Sequence, residues 1–212
     1  MKKLSFSHVK FSDLSELVDI RQVVDDSVFA EWFGYSYRLN SHEEQLLQEL
    51  IEENRQFMLS YSEDELKMKF LAPLLNAVHF HTGSIRDWYQ RPLKAKINNV
   101  ILGGYVDFMV ATGVKEPARP YFFIQEFKKT KIDVDPEDQL LAEMLVAMTL
   151  NKMAVMHGAY IIGKIWNFVL LKQQAQDSYE YYVSLAFDSS NPKSLHNIYV
   201  NLHAVKALFC KE

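Results

Sequence analysis

Residues 121–129 read Tyr-Phe-Phe-Ile-Gln-Glu-Phe-Lys-Lys, an aromatic and aliphatic run that ends in charged side chains. Side chains alternate between the two faces of a strand, so Glu126 and Lys128 point the same way, together with Phe122 and Ile124. The run therefore predicts a strand whose end presents a carboxylate and an ammonium group to one polar cleft. The alternative is an exposed strand end whose charges are only solvated, since strand motifs this short recur by chance.

Asp107 lies in a second apolar stretch, residues 103–111, which reads Gly-Gly-Tyr-Val-Asp-Phe-Met-Val-Ala. An ionised carboxylate in such surroundings is costly unless it is paired, hydrogen-bonded or metal-bound. A hydrogen bond from Asp107 to the neighbouring turn is one explanation. If the two strands are adjacent, however, Asp107 and Glu126 lie side by side. Two carboxylates repel each other, and a hard divalent cation with oxygen ligands removes that repulsion.

The rest of the chain predicts a mixed α/β domain with a helical beginning and a helical end. Apolar residues at helical spacing, with capping residues at several starts, predict helices over residues 12–29, 42–59, 62–79, 136–151 and 193–209. Alternating and β-branched segments predict strands over residues 95–102, 105–112, 121–130, 158–171 and 179–187, with a hairpin turn at Gly103-Gly104. From residue 62 the predicted order is therefore α-β-β-β-α-β, followed by one more strand and helix.

Asp-x18-Glu-x-Lys within this order of elements resembles the PD-(D/E)XK nuclease superfamily. The segment from Ser62 to Leu75, Ser-Glu-Asp-Glu-Leu-Lys-Met-Lys-Phe-Leu-Ala-Pro-Leu-Leu, also resembles the opening helix of the nuclease domain in type I restriction subunits and related stand-alone proteins. The resemblance covers residues 62–171. Two departures are visible: Val106 stands where the family's Pro would be, and Gln125 replaces the usual apolar residue before the Glu.

The resemblance implies an α-β-β-β-α-β core with a mixed central sheet, and a phosphodiester hydrolase that uses Mg²⁺ or Mn²⁺. Asp107, Glu126 and the backbone carbonyl of Phe127 would bind the metal, and Lys128 would orient the attacking water and stabilise charge on the phosphate. DNA is favoured over RNA as the substrate. Endonuclease and exonuclease cutting are both left open.

Two further positions are implied by the family's opening helix and by the helix after the third core strand. Glu63 extends the apolar stripe of the opening helix and is preferred as a further metal ligand, whereas Glu65 is explained by a capping box with Ser62. A carboxylate at a helix N-terminus explains Glu63 equally well. Gln139, one turn into its helix, is a candidate catalytic residue, and Glu143 follows one turn later; both also fit an ordinary polar face.

Composition limits the remaining choices. A net charge of −4 argues against a general DNA-coating protein, although it does not exclude a nuclease with gathered basic residues. Cys210 is the single cysteine, which excludes an intramolecular disulfide and thiolate metal clusters. No uncharged apolar run approaches a membrane span, so a cytoplasmic protein without a membrane partner is expected.

The first residues differ in character from the rest. Residues 1–60 are predicted to be a helical N-terminal extension to a nuclease-like domain over residues 61–212, the two forming one compact unit. Assembly as a homodimer stays open. The rival hypothesis is a non-catalytic binding or assembly protein that uses the same fold, which the small size and the acidic net charge favour.

Overall fold

The computed structural model describes residues 2–128 and 135–211, and these ranges form a mixed α/β structure built on one nine-stranded sheet. The strands are β1 Lys2–Ser5, β2 Asp19–Gln22, β3 Ile85–Ile97, β4 Val100–Thr112, β5 Ala118–Lys128, β6 Val155–Ile162, β7 Ile165–Ala175, β8 Ser178–Val183 and β9 Phe187–Asp188. The α-helices are α1 Phe11–Leu17, α2 Ala30–Phe33, α3 Ser41–Asn54, α4 Glu63–Leu66, α5 Ala72–Val78, α6 Pro136–Asn151 and α7 Pro192–Ala204.

Two π-helical segments continue helices without a break. Lys67–Leu71 joins α4 to α5, and Val205–Phe209 extends α7. Short 3₁₀ turns cover Phe6–His8 and Asp26–Phe29. Pro73 lies at the start of α5, directly after the first π segment, where its missing N–H is best tolerated.

Each face of the sheet has its own hydrophobic core. The core on one face includes α6 together with Phe6, Val9 and Leu14 from the beginning of the chain. The core on the other face is built by the helices over residues 63–78 with α2, α3 and α7. The sheet order is β1-β4-β5-β6-β7-β8-β2, with β3 on β4 and β9 on β7. Parallel pairs (β1 with β4, β5 with β6, β2 with β8) and antiparallel pairs make it a mixed sheet.

Strand β4 carries the feature that positions the site. One of its edges pairs with β3 along most of its length, and the other edge is shared by two shorter ladders. Residues 100–103 pair with β1, whereas residues 108–112 pair with β5. Among the described strands, neither β1 nor β5 pairs with residues 104–107 on that edge. Asp107 therefore lies where the β4–β5 ladder has just ended.

The hairpin turn expected at Gly103-Gly104 is wrong. β3 and β4 are joined at Asn98-Asn99, where Asn98 adopts a left-handed φ of 52°. Both glycines instead lie inside β4, because other chain segments approach too closely for a side chain. A Cβ on Gly103 would come within 2.5 Å of the Lys94 Cβ, and one on Gly104 within 2.9 Å of the Phe6 ring.

Two other predicted elements are wrong in part. The helix expected over residues 12–29 ends at Leu17, and the chain then forms β2, which pairs with β8 at the far end of the sheet. The single strand expected over residues 158–171 is a hairpin, because Gly163 takes a left-handed φ of 60° and turns the chain between β6 and β7.

The predicted fold class is confirmed, and so is the order α-β-β-β-α-β over residues 63–162. The helix after the third core strand is α6, with Asp135 as its N-cap and Pro136 at its first position. The last helix is also confirmed, with the predicted stripe buried at Leu195, Ile198, Leu202 and Val205. Residues 129 and 130 of the predicted third strand lie outside the described residues.

The first sixty residues supply strands as well as helices. β1 and β2 both join the central sheet, so this part of the chain is not helical throughout. The boundary at residue 60 stays a prediction. In the ranges that the structure describes, none of the helices has the length and apolar character needed to cross a membrane.

Candidate functional site

Glu126 and Lys128 lie on the face of β5 that packs against α6. The Lys128 Nζ donates to Glu126 Oε1 at 2.6 Å. Glu126 is fully buried, whereas 29% of the Lys128 side chain is exposed. The second carboxylate oxygen, Glu126 Oε2, is buried and has no hydrogen-bond partner among residues 2–128 and 135–211. The two residues that alternate along β5 therefore form a contact pair in which the carboxylate keeps one unused oxygen.

Helix α6 brings a second carboxylate to the same face. Glu143 is fully buried, and its Oε1 accepts a hydrogen bond of 3.1 Å from the Gln139 Nε2. The Glu143 Oε2 and the Gln139 Oε1 are also buried, and neither has a hydrogen-bond partner among the described residues. Gln139 and Glu143 are four residues apart and so lie on one side of the helix. The ordinary polar face considered for them is excluded, because both are buried.

Asp107 occupies the gap in the β4–β5 ladder. Its Oδ2 accepts a hydrogen bond of 3.1 Å from the backbone N–H of Phe127. Its Oδ1 accepts from the Lys67 Nζ at 3.2 Å and from the side-chain amide of Gln90. The carboxylate thus replaces a backbone partner for β5 at the point where the two strands separate. The structure shows Phe127 beside Asp107 through its N–H, and a ligand role for its carbonyl stays a prediction.

Glu63 reaches Asp107 only through a lysine. Lys67 Nζ lies 2.8 Å from Glu63 Oε1 and 3.2 Å from Asp107 Oδ1, so one ammonium group bridges both carboxylates. Glu63 begins α4, and 37% of its side chain is exposed. Glu65 makes the capping box with Ser62, as expected.

The pKa values follow from this burial. Burial raises the pKa of Glu126 to about 8, and the negative charge of Asp107 adds to the rise. Burial also raises the pKa of Glu143 well above its ordinary value, with the charge of Glu126 acting in the same direction. When neither water nor a hydrogen-bond donor contacts one oxygen of a carboxyl group, the charged form is disfavoured and the pKa of the group rises.

Nearby carboxylates also raise the pKa values of Lys67 and Lys128. Burial opposes the positive charge of Lys128, yet the Glu126 carboxylate raises the net pKa of Lys128 above the usual value. Burial likewise opposes the charge of Lys67, and Asp107 with Glu63 raises its net pKa. The shifts of Lys128 and Glu126 are compatible, because Lys128 releases its proton far above the pH at which Glu126 ionises.

The donor set fits a hard divalent cation in part. Carboxylate oxygens are the ligands that Mg²⁺ and Mn²⁺ prefer, and the buried oxygens Glu126 Oε2 and Glu143 Oε2 lack other partners. As the side chains stand, no group of three or more His, Cys, Asp or Glu in the described ranges has the arrangement of a metal site. Lys67 and Lys128 instead provide the positive charge beside the carboxylates.

Sequence reasoning did not single out Lys67 or Gln90. Lys67 follows Glu63 by four residues, the spacing of a helical ion pair, which was the available signal. Gln90 gave no signal, because it lies opposite Asp107 only when β3 and β4 are paired. The ladder skips these two residues between the pairs Tyr89–Phe108 and Arg91–Val106, and Gln90 has a left-handed φ of 49°.

Comparison of the chain with known protein families and with curated proteins finds no match to either.

Proposed function

We propose that this chain is a nuclease that hydrolyses phosphodiester bonds with the help of Mg²⁺ or Mn²⁺, and that DNA is its preferred substrate. The observation that carries the proposal is the buried Glu126, which contacts a lysine through one oxygen, while its other oxygen has no partner in the part of the chain that the structure describes and lies beside a second buried carboxylate. Burying two carboxylic groups with unused oxygens is costly, and functional sites are where such costs are retained. The resemblance to the PD-(D/E)XK superfamily supports the same assignment.

In this proposal Asp107 and Glu126 hold the cation, with Glu143 as a further carboxylate beside Glu126. A bound divalent cation would polarise the phosphate and favour ionisation of a nearby water. The Lys128 side chain is 29% exposed, and in this proposal its ammonium group orients the attacking water and stabilises negative charge on the phosphate. The water oxygen bonds to phosphorus, the bond to one bridging ester oxygen breaks, and that oxygen leaves with a proton from solvent.

Asp107 and Glu126 must both be ionised to hold the cation. Because the pKa of Glu126 is raised to about 8, cation binding releases a proton at neutral pH and becomes more favourable as the pH rises. Lys67 already contacts Asp107 and Glu63, so it balances part of the negative charge at the site.

Thermal unfolding with and without Mn²⁺ or Mg²⁺ tests the metal part. Wild-type protein is expected to gain stability, about 2.7 kcal/mol when the metal is at 100 times its Kd, since the ligand binds the folded state. Asp107→Asn should lose that gain and keep the fold. Lys128→Ala should keep the gain and lose cleavage of single- and double-stranded DNA by about 10²-fold or more.

Lys2→Ala provides a matched control. Lys2 also pairs with a glutamate, Glu16 at 3.8 Å, but on an exposed surface. Its cleavage rate should equal that of the wild type. Cleavage that survives both Asp107→Asn and Lys128→Ala would place the activity elsewhere or in a contaminant.

A second candidate is a non-catalytic binding or assembly protein on the same fold. The observation that favours it is the Lys67 bridge, which contacts both Asp107 and Glu63 and balances part of their negative charge without any metal. Absence of both metal stabilisation and cleavage across DNA and RNA substrates would make this the better description. Neither the unfolding test nor the cleavage test addresses homodimer formation or cytoplasmic location, and both stay predictions.

A further inference from the structure

On the face of β5 opposite Glu126 and Lys128 lies a cavity of about 450 Å³, called here the β5 pocket. The helical segment over residues 64–76 forms one wall, and β3, β4 and β5 form the other. Small-molecule sites in proteins have volumes of about 300–1,000 Å³, so the β5 pocket has room for a ligand with one ring system and a sugar. Asp107 lines this pocket as well as the gap beside β5.

A buried amide lies in the wall of the β5 pocket. Gln125 is 2% exposed, and its Oε1 is buried without a hydrogen-bond partner among the described residues. In the ladder Gln125 pairs with Phe108, and Phe127 is the next residue on the same face of β5. Both aromatic residues also line the pocket. A side-chain amide carries both donors and an acceptor, so it can pair with a complementary polar edge held between aromatic rings.

The entrance of the β5 pocket is apolar and exposed. Met68 is 72% exposed and Tyr89 is 40% exposed, and both line the cavity. The Tyr89 ring meets the Phe108 ring edge-on, with centroids 5.2 Å apart. Met68 lies in the π-helical segment, a distortion that is frequent at functional sites. These side chains offer a flat ligand apolar contact on its way to the buried amide.

Among the described residues that line or adjoin the β5 pocket, Lys67 stands beside three acidic side chains, Glu63, Asp64 and Asp107, so the acidic side chains outnumber the lysine. Lys67 lines the cavity, but its ammonium group is already shared by Asp107 and Glu63. A free anion would have to compete with these carboxylates, and a free cation with Lys67. An uncharged, planar, hydrogen-bonding group meets neither obstacle.

We propose that the β5 pocket binds a nucleobase, turned out of its strand, whose polar edge hydrogen-bonds to the Gln125 amide while its ring lies against Tyr89, which lines the pocket and is 40% exposed. Glutamine amides pair with the donor and acceptor of an adenine edge, and protein aromatic rings stack on unpaired bases. The choice of a nucleic-acid ligand rests on the proposed nuclease function, and Asp107 connects the two faces.

The test uses the full chain in EDTA, so that neither metal nor cleavage affects the result. The probe is a single-stranded DNA that contains 2-aminopurine, whose fluorescence falls when the base stacks on an aromatic ring. We expect quenching on titration with the protein, and reversal by adenosine but not by ribose 5-phosphate. Equal competition by ribose 5-phosphate would overturn the inference, because it would assign recognition to the sugar and phosphate.

Two variants probe the pocket by different means. Gln125→Leu removes the amide, and Ala72→Phe fills the cavity from the helical wall that Ala72 lines. Each should weaken binding of the probe at least tenfold. Gln45→Leu, at an exposed glutamine of α3, is the matched control and should bind as wild type does. Circular dichroism and the melting temperature identify a variant that fails to fold, in which case the other variant decides.

The two proposals fail separately. Probe binding that depends on Gln125, without metal stabilisation or cleavage, would support the pocket and remove the nuclease. Cleavage by wild-type protein without quenching, or with equal binding by the wild type and both folded variants, would overturn the pocket and leave the nuclease. No binding of any probe overturns the pocket as well.

Discussion

The buried carboxylate of Glu43 and those of Glu126 and Glu143 differ in how many hydrogen-bond donors surround them. Glu43, in α3, accepts hydrogen bonds from Tyr37 at 2.7 Å, from Tyr199 at 3.0 Å and from the Asn40 backbone at 2.8 Å. Burial pushes the pKa of Glu43 upwards, but these donors lower the net pKa below its ordinary value. Glu126 and Glu143 each keep an oxygen without a partner, and the pKa of each is raised.

This difference distinguishes a carboxylate with a structural role from carboxylates that can still bind a cation or a proton. Glu43 is ionised and satisfied where it stands, tying α3 to α7 through Tyr199, and it gains nothing from a further ligand. Glu126 and Glu143 lack that compensation, so a cation or a proton is what stabilises them. Burial of a carboxylate alone would not have distinguished the two cases. The count of donors around it does.

Removing α7 should have the largest effect, because it takes away one half of the Glu43 cluster together with a buried stripe. Deletion of residues 192–211 removes Leu195, Ile198, Leu202 and Val205, all fully buried. At about 1.5–3 kcal/mol for each large side chain, the loss approaches the whole stability of a domain. Circular dichroism and urea unfolding should show no cooperative transition. A truncated protein that melts at the wild-type temperature would show that α7 and the Glu43 cluster are peripheral.

A matched pair of substitutions compares the two carboxylates directly. Glu43→Gln turns an amide N–H towards groups that already donate, and we expect it to cost about 2–4 kcal/mol. Glu126→Gln replaces a carboxyl group that the folded state keeps protonated at pH 7 by an isosteric neutral amide, and should raise stability, because the wild type takes up a proton on folding and the variant does not. Urea unfolding without divalent metal measures both. Equal losses would mean that Glu126 is as structural as Glu43, and the contrast would disappear.

Sequence periodicity was sufficient for much of the fold. The helical spacing of α6 and α7 is a local signal, and these helices form where their patterns predict. The alternation expected in β5 is wrong at Phe122, which lies in the core opposite that of Ile124 because the β4–β5 register shifts there. The Gly103-Gly104 turn failed because these glycines make room for other residues: Gly103 for Lys94, its partner on β3, and Gly104 for Phe6, which lies near the beginning of the chain. The strand β2 is only four residues long, and its pairing with β8 leaves no periodic trace in a segment that also fits a helix.

The candidate site shows the same limit. The period of a strand placed Glu126 and Lys128 on one face, and the structure has them in contact. The Lys67 bridge to Asp107 spans forty residues and the contact of Gln90 depends on a skipped pair in the ladder. Neither follows from spacing along the chain. The exception is Gln125, whose polar character within an apolar run was visible in the sequence and which lines the β5 pocket.

The most diagnostic test, and the one with the smallest change at each step, is the pH dependence of stability. The folded state holds a proton on Glu126 up to a pH of about 8, whereas the unfolded chain releases it near the ordinary value of 4.5. Stability from this group is therefore complete below pH 4.5 and is lost as the pH rises towards 8, by at most about 1.4 kcal/mol per pH unit for one proton. For Glu43 the sign is reversed. Its lowered pKa contributes stability that is present above pH 4.5 and is lost as the pH falls through the folded pKa.

The readout is a difference between proteins, because other groups titrate too. His157 and His203 have pKa values lowered by burial to about 3 and about 4, so they make stability rise with pH up to about 6.5. These contributions are common to wild type and Glu126→Gln and cancel when the two are subtracted. Urea unfolding at half-unit steps from pH 5 to pH 8, without divalent metal, should show the variant gaining on the wild type across that window. Parallel curves would mean that Glu126 ionises at its ordinary pH despite its burial, and that its unused oxygen is stabilised by a group other than a proton.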